Sequence, residues 1–183
     1  QWRLTIPTFG QANIAHILGN PAILKVNEWL ADEDVLQDND LIEIYNPQPV
    51  PVDIGGMYLT DDPAAQPNRH QLAPLTFVDG AGYAVFIADG APQDGANHLN
   101  FRLSPNQEII GLFDTDISEV DTVIYYPQTT DVSQGRAPDG NDTYEFFEPP
   151  TPFVSNITTI IINEVLAHSH SGAPDWIELY NTT

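Results

Sequence analysis

Acidic side chains lie within apolar, strand-like segments near the start of the chain. Glu28 follows Asn27 in a segment rich in Leu, Val and Trp, and Glu43 lies between two isoleucines. If these segments pair as strands, Glu28 and Glu43 can face each other across the ladder, where like charges destabilise a sheet. The chain has 5 Lys and Arg residues against 26 Asp and Glu residues, so basic partners are scarce. A divalent cation would relieve the repulsion, and an all-oxygen ligand set favours calcium.

The first functional hypothesis is therefore a Ca²⁺ site. Its predicted ligands come from three neighbouring strand-like segments, and they are Asn27, Glu28, Glu43, Asp61 and Asp62. A backbone carbonyl can stand in for the asparagine, and either aspartate can complete the set. The ordinary alternative is that these carboxylates are solvated charges of an acidic protein. The acidic residues do not have the spacing of an EF-hand loop.

Catalytic arrangements receive little support from the same residues. Carboxylates are so numerous that finding a pair says little about glycoside hydrolysis. No serine lies in the Gly-x-Ser-x-Gly pattern of a nucleophile elbow. His168 and His170 can share one face, but no third metal ligand is evident beside them. We expect no enzymatic activity from this chain.

Short apolar segments separated by turn-forming residues fill the chain from residue 23 onward. The candidate strands are Leu24–Leu30, Leu41–Tyr45, Met57–Thr60, Tyr83–Ala88, Phe101–Leu103, Ile109–Asp114 and Thr122–Tyr126. With 16 prolines and 12 glycines, the chain leaves Ala12–Leu18 as its one candidate helical window. This spacing predicts an all-β sandwich of about seven to nine short, mainly antiparallel strands.

Two features away from the glutamates have structural interpretations. The pair Asp139-Gly140 predicts a turn in which the glycine has a positive φ. Arg136 is one of four arginines, and we expect it to pair with a carboxylate or to cap backbone carbonyls. Trp29 and Tyr45 lie beside Ile and Leu in strands, so we expect them in the core rather than on a sugar-binding surface.

Part of the sequence occurs twice. The Asn-Glu pair at 27–28 recurs at 163–164, a spacing of 136 residues, and the pattern at 40–46 recurs at 175–181, a spacing of 135. The related strings PTFGQAN and TPFVSN each precede a copy of the first strand. These repeats predict one complete module followed by the opening of a second.

The repeats divide the chain into three predicted parts. Residues 1–20 are the tail of a preceding module with its linker, residues 22–152 are a complete module, and residues 157–183 are the truncated start of a second. An alternative for residues 1–20 is an N-terminal arm packed on the module. A lone hairpin in 157–183 has an unpaired edge, so we expect it to pack on its own module or to self-associate with another chain.

Composition limits the partners. The net charge of −21 argues against nucleic acid, which requires clustered Lys and Arg, and against anionic membrane surfaces. No apolar run is long enough to predict membrane insertion. The absence of cysteine excludes disulfides and thiolate metal sites. We expect the chain to be a piece of a longer protein.

Four motifs occur in a fixed order in the first 140 residues, and they are Leu24–Asp62, Tyr83–Gly90, Asn100–Ser104 and Ser133–Gly140. Together they resemble the bacterial lamin tail domain, also called the intermediate-filament tail domain. The chain departs from the family pattern after Thr151-Pro152, since Phe153 stands where the family has glycine.

The resemblance implies an immunoglobulin-like β-sandwich and a non-catalytic module of a larger secreted or cell-surface bacterial protein. Its partners would be the neighbouring domains of that protein, and calcium would stabilise it if the predicted site is real. The alternative is a module that binds a polysaccharide or another polymer for an attached enzyme. A cleft lined by exposed aromatic side chains favours the alternative, whereas a smooth acidic surface favours the structural module.

Overall fold

The strands of this chain are short because prolines, glycines and asparagines interrupt nearly every apolar run. The computed structural model describes residues 3–32, 39–156, 160–167 and 174–181. A single 3₁₀ turn, Pro21–Ile23, precedes the main body of the fold. The strands are, in chain order, β1 (Thr5–Ile6), β2 (Ile14–Ala15), β3 (Lys25–Leu30), β4 (Leu41–Tyr45), β5 (Val52–Asp53), β6 (Tyr58–Thr60), β7 (His70–Gln71), β8 (Phe77–Val78), β9 (Tyr83–Ile87), β10 (Glu108–Phe113), β11 (Glu119–Tyr125), β12 (Ser133–Arg136), β13 (Tyr144–Phe147), β14 (Ile160–Leu166) and β15 (Trp176–Asn181).

Two antiparallel sheets form the body of the described chain. One has five strands in the order β13-β12-β3-β4-β9, and the other has four in the order β11-β10-β6-β7. Buried apolar side chains from both sheets make one core, among them Trp29, Ile42, Leu59, Phe86, Ile110, Leu112 and Tyr125. The predicted all-β sandwich is confirmed, and Trp29 lies in its core as expected. Tyr45 was expected there too, but it is only partly buried, because it lies on the same face of β4 as Glu43.

Strand β4 shows how the sequence sets the two faces of the five-stranded sheet. Ile42 and Ile44 are buried in the core, and Glu43 points to the opposite face because side chains alternate along a strand. Glu43 pairs directly with Glu28 of β3, as the sequence predicts. A register shift between Val26 and Glu28 marks a β-bulge, an irregularity that redirects side chains locally.

Some elements differ from the sequence-based expectation. The candidate helix Ala12–Leu18 contains the short strand β2, which pairs with β1. The candidate strand Phe101–Leu103 is reduced to one bridge, between Arg102 and Asp89. Strand β12 was not predicted, because the segment Ser133–Arg136 has no apolar alternation. Strand β13 was not predicted either.

The C-terminal repeat forms a hairpin with the geometry of the first copy. Glu164 of β14 opposes Glu178 of β15, as Glu28 opposes Glu43, and the register shift falls between Ile162 and Glu164. The two copies of the sequence therefore adopt the same local structure.

Every side chain described in this hairpin is exposed. Ile162 and Leu179 each have 63% of their surface exposed, and Ile177 has 62%. The described side chains thus do not show the predicted packing of the hairpin on its own module, and association with another chain stays a prediction. In the described parts of the chain, no helix has the length and apolar character needed to span a membrane.

Candidate functional site

A short segment after β13 returns to cover the outer face of the five-stranded sheet. We call residues 151–156 the strap. Its turn is closed by the amide of Val154, which donates to the carbonyl of Thr151 at 3.0 Å. At the far end of the strap, Asn156 is fully buried. The strap is therefore anchored at both ends, and its interior residues lie over the sheet.

Glu28 and Glu43 are fully buried beneath the strap and accept hydrogen bonds from it. Thr151 donates its backbone amide to Glu28 Oε1 at 2.8 Å, and its hydroxyl lies 2.8 Å from Glu28 Oε2. Phe153 donates its amide to Glu43 Oε2 at 2.6 Å. Hydrogen bonds to ionised carboxylates are roughly twice as strong as neutral ones. The two glutamates thus hold the strap on the sheet.

Asn27 connects the glutamates to a third carboxylate. Its side-chain nitrogen donates to Glu43 Oε1 at 2.9 Å and to Asp139 Oδ1 at 2.8 Å. Its side-chain oxygen accepts the amide of Gly140 at 3.0 Å. Both N–H groups and the carbonyl of this buried side chain therefore have partners, as a buried amide requires.

Asp139 ties the turn after β12 to the end of the strap. It accepts hydrogen bonds from the hydroxyls of Tyr83 at 2.9 Å and Ser155 at 2.5 Å, and from the amide of Asn156 at 3.2 Å. The predicted turn is confirmed, because Gly140 has a φ of 72°. We call Asn27, Glu28, Glu43 and Asp139 the carboxylate cluster.

The strap approaches the sheet where glycine leaves room for it. Gly135 of β12 pairs with Glu28, and a Cβ at this glycine would lie 2.7 Å from the carbonyl oxygen of Asn27 and 2.9 Å from Asn156 Nδ2. A larger residue at position 135 would therefore displace the strap from the cluster.

The basic side chains that form ion pairs in the described structure bond carboxylates outside the cluster. Arg136 is buried and bonds Asp121 at 3.0 Å and the carbonyl of Val26 at 2.9 Å, which confirms its predicted structural role. Lys25 lies 3.3 Å from the same aspartate. The carboxylate cluster therefore meets its charge with hydrogen-bond donors and with protons.

Protonation of Glu43 accompanies this arrangement. The pKa of Glu43 is raised from 4.5 to about 7, chiefly by burial and in smaller part by the charges of Glu28 and Asp139. The hydrogen bonds from Asn27 and Phe153 oppose the rise. Near neutral pH, Glu43 is thus partly protonated, which reduces the repulsion among the two buried glutamates and the half-buried Asp139.

The predicted calcium ligands are only partly brought together. Asn27, Glu28 and Glu43 meet in the cluster, but their side-chain oxygens already accept hydrogen bonds. Asp61 and Asp62 follow β6 in the other sheet, where Asp61 bonds Arg69 and Asp62 accepts the amide of Ala65 at 3.1 Å. The five residues do not form one ligand set in this arrangement, and calcium binding stays a prediction.

A second group with metal-ligand chemistry lies at the loop after β9. Ligand atoms of Asp89, Asp94 and His98 all lie within 4.8 Å of one another. Asp89 Oδ2 is 2.7 Å from His98 Nδ1, and Asp89 Oδ1 accepts the amide of Ala91 at 2.9 Å. These hydrogen bonds indicate a structural role for the group, because they hold the loop after β9 together.

The outer face also carries an apolar recess next to the strap. Leu41, Val85, Ile87 and Phe153 are among its lining residues, and its volume is about 300 Å³. Phe153 is exposed over 64% of its surface, whereas Trp29 is buried and Tyr45 stacks on Tyr83. Only the phenylalanine thus offers an exposed aromatic ring at this recess.

Two parts of the site were missed from the sequence. Asp139 was interpreted only as a turn residue, and the strap only as a module boundary. The available signal was the repetition of a threonine and an asparagine five positions apart, in Thr8–Asn13 and again in Thr151–Asn156.

Comparisons of the chain with protein-family models, with curated proteins and with solved structures give no match.

Proposed function

We propose that the predicted module of residues 22–152, extended to the end of the strap at residue 156, is a non-catalytic structural module of the kind implied by the resemblance to the lamin tail domain. The module would belong to a tandem array within a larger secreted or cell-surface bacterial protein. The observation that carries this proposal is the buried closure between Glu28 and Thr151, two residues 123 positions apart. This closure joins the first sandwich strand to the segment that leaves the module.

The closure suits a module that transmits force along a chain. A pull that enters at β3 and leaves through the strap acts first on the hydrogen bonds between them. These bonds are partly buried, their acceptors are fully buried and they are charge-assisted, so solvent competes with them poorly. A catalytic use of the same carboxylates would require free oxygens facing a substrate, whereas here those oxygens accept bonds from the strap, from Asn27 and from Tyr83.

Single-molecule force spectroscopy on the chain held at its two ends tests this role. We expect residues 22–156 to unfold as one unit, releasing up to about 470 Å of chain at about 3.5 Å per residue. Glu28→Ala should lower the unfolding force, and Glu145→Ala, at an exposed position of β13, should leave it unchanged. Release of the strap at low force, with the sandwich still folded, would contradict the proposal.

The recess beside Phe153 favours a second candidate, the polymer-binding module. Thermal unfolding with soluble polysaccharides distinguishes the two, since a ligand of the folded state raises stability by about 2.7 kcal/mol at a hundredfold excess over Kd. A structural module predicts no such shift. A shift that is lost in Phe153→Ala would support binding instead. The same experiment with Ca²⁺ against a chelator, at matched ionic strength, tests the predicted calcium site.

A further inference from the structure

A second strap lies near the start of the described chain. Residues 8–13, which we call the free strap, share their first threonine and last asparagine with residues 151–156, at a spacing of 143. The amide of Gln11 donates to the carbonyl of Thr8 at 2.9 Å, and the corresponding bond in the strap is 3.0 Å. The Thr8 hydroxyl lies 3.4 Å from the side-chain oxygen of Asn13, as the corresponding pair in the strap lies at 2.7 Å.

The two straps also share an unusual backbone conformation. Gly10 has a φ of 75°, and Phe153, at the matching position, has a φ of 64°. The free strap differs in being uncovered: Phe9 is fully exposed, and a Cβ at Gly10 would meet no atom within 4 Å. The free strap therefore has the conformation of a bound strap without the glutamates that a strap binds.

The hairpin of β14 and β15 has the glutamates that a strap binds, but its described residues are not covered by a strap. It reproduces the strand pair that binds the strap. The side-chain nitrogen of Asn163 donates a hydrogen bond to Glu178, as that of Asn27 does to Glu43. Glu164 and Glu178 are nevertheless exposed, whereas their counterparts in the module are fully buried. The hairpin therefore presents two facing carboxylates without the strap donors that bond the first pair.

We propose that the free strap of one copy of residues 1–183 binds the hairpin of β14 and β15 of a second copy. This inference rests on the proposed function as a tandem structural module, in which neighbouring modules would provide each element with the same kind of partner. The module itself indicates that a strap is the binding partner of such a hairpin, because in the module the strap already binds the equivalent strands β3 and β4.

The contacts follow by correspondence with the module. The Thr8 amide and hydroxyl would donate to Glu164, as those of Thr151 do to Glu28. The Gly10 amide would donate to Glu178, as that of Phe153 does to Glu43. Phe9 would lie beside Trp176, which occupies the position of Leu41 next to the strap. The interface pairs an element of one end with an element of the other, so association is open-ended rather than closed.

The association should be weaker than the closure inside the module. The counterpart of Asp139 is missing from the hairpin, so the amide of Asn13 and the second N–H of Asn163 gain no carboxylate partner. The two elements also meet as separate molecules, which costs translational and rotational freedom.

Sedimentation velocity at neutral pH and low salt tests the proposal, over about 5 to 500 μM, a range suited to a weak interface. We expect the weight-average mass to rise at least about twofold across that range. Gly10→Pro removes the required N–H and forbids the positive φ, and Glu164→Lys with Glu178→Lys removes the acceptors. Each variant alone should stay monomeric, and Gln11→Ala, beside Gly10 but with its backbone unchanged, should assemble as the parent does.

Mixing the two defective chains provides the decisive outcome. One retains an intact hairpin and the other an intact free strap, so the mixture should form a dimer that grows no further. A parent chain that is monomeric throughout the range, or a Gly10→Pro variant that assembles like the parent, would overturn the proposal. In either case, unfolding of the module and its strap in a single step under force would still support the proposed function.

Discussion

Replacing Glu43 by glutamine should change how the stability of the module depends on pH. Glu43 is fully buried, and its pKa rises from 4.5 to about 7 on folding. Because the folded state holds the proton more tightly, the resulting stabilisation is complete below pH 4.5 and is lost as the pH rises through 7. At 1.36 kcal/mol for each pKa unit, the loss amounts to about 3 kcal/mol between pH 4 and pH 9.

Urea unfolding of the parent and of Glu43→Gln, across this pH range, measures the effect. The variant loses an acceptor for Asn27 or Phe153, which lowers its stability by an amount that does not vary with pH. The difference between the two proteins should nevertheless shift by about 3 kcal/mol in favour of the variant at high pH. With a urea slope of about 2 kcal/mol per M, that corresponds to about 1.5 M in the midpoint.

The matched control is Glu145→Gln, which removes an exposed carboxylate from β13 of the same sheet. Its stability relative to the parent should vary little with pH. If the difference between Glu43→Gln and the parent is constant from pH 4 to pH 9, Glu43 does not hold a proton beneath the strap, and the reasoning is refuted.

Two further substitutions test the bonds around the cluster. Thr151→Val removes the hydroxyl that faces Glu28, and we expect a loss of about 1 to 2 kcal/mol in urea unfolding, whereas Thr129→Val at an exposed loop position should change little. Arg136→Met leaves Asp121 with only Lys25 as a basic partner, so we expect a loss of about 3 kcal/mol in the same assay. Arg102→Met, at an exposed site, is its control; equal losses in the paired variants would contradict these assignments.

The sequence was sufficient where strand alternation decides the outcome. Glu43 between two isoleucines had to face away from the core, and its position opposite Glu28 was predicted on the condition that the two strands pair. Burial of Trp29 was predicted from its apolar neighbours. The pairing of Arg136 with a carboxylate was predicted from the scarcity of basic residues.

The remaining features depend on tertiary structure that local patterns do not specify. Asp61 and Asp62 lie away from the glutamates because β6 joins the other sheet, a choice not visible in its three residues. Asp139 reaches Asn27 from 112 positions away. The donors to the glutamates include the backbone amides of the strap, a group that every residue except proline carries, so residue types alone could not identify them.

Amide hydrogen exchange followed by NMR tests most directly whether the strap is bound to the buried glutamates. The amides of Thr151 and Phe153 should exchange slowly, within about tenfold of the amides of β4, because the same unfolding event exposes them. In Glu28→Gln, exchange at Thr151 should accelerate while β4 stays protected. Exchange of both strap amides at the rate of a free peptide in the parent chain would contradict the closure of the module by its strap.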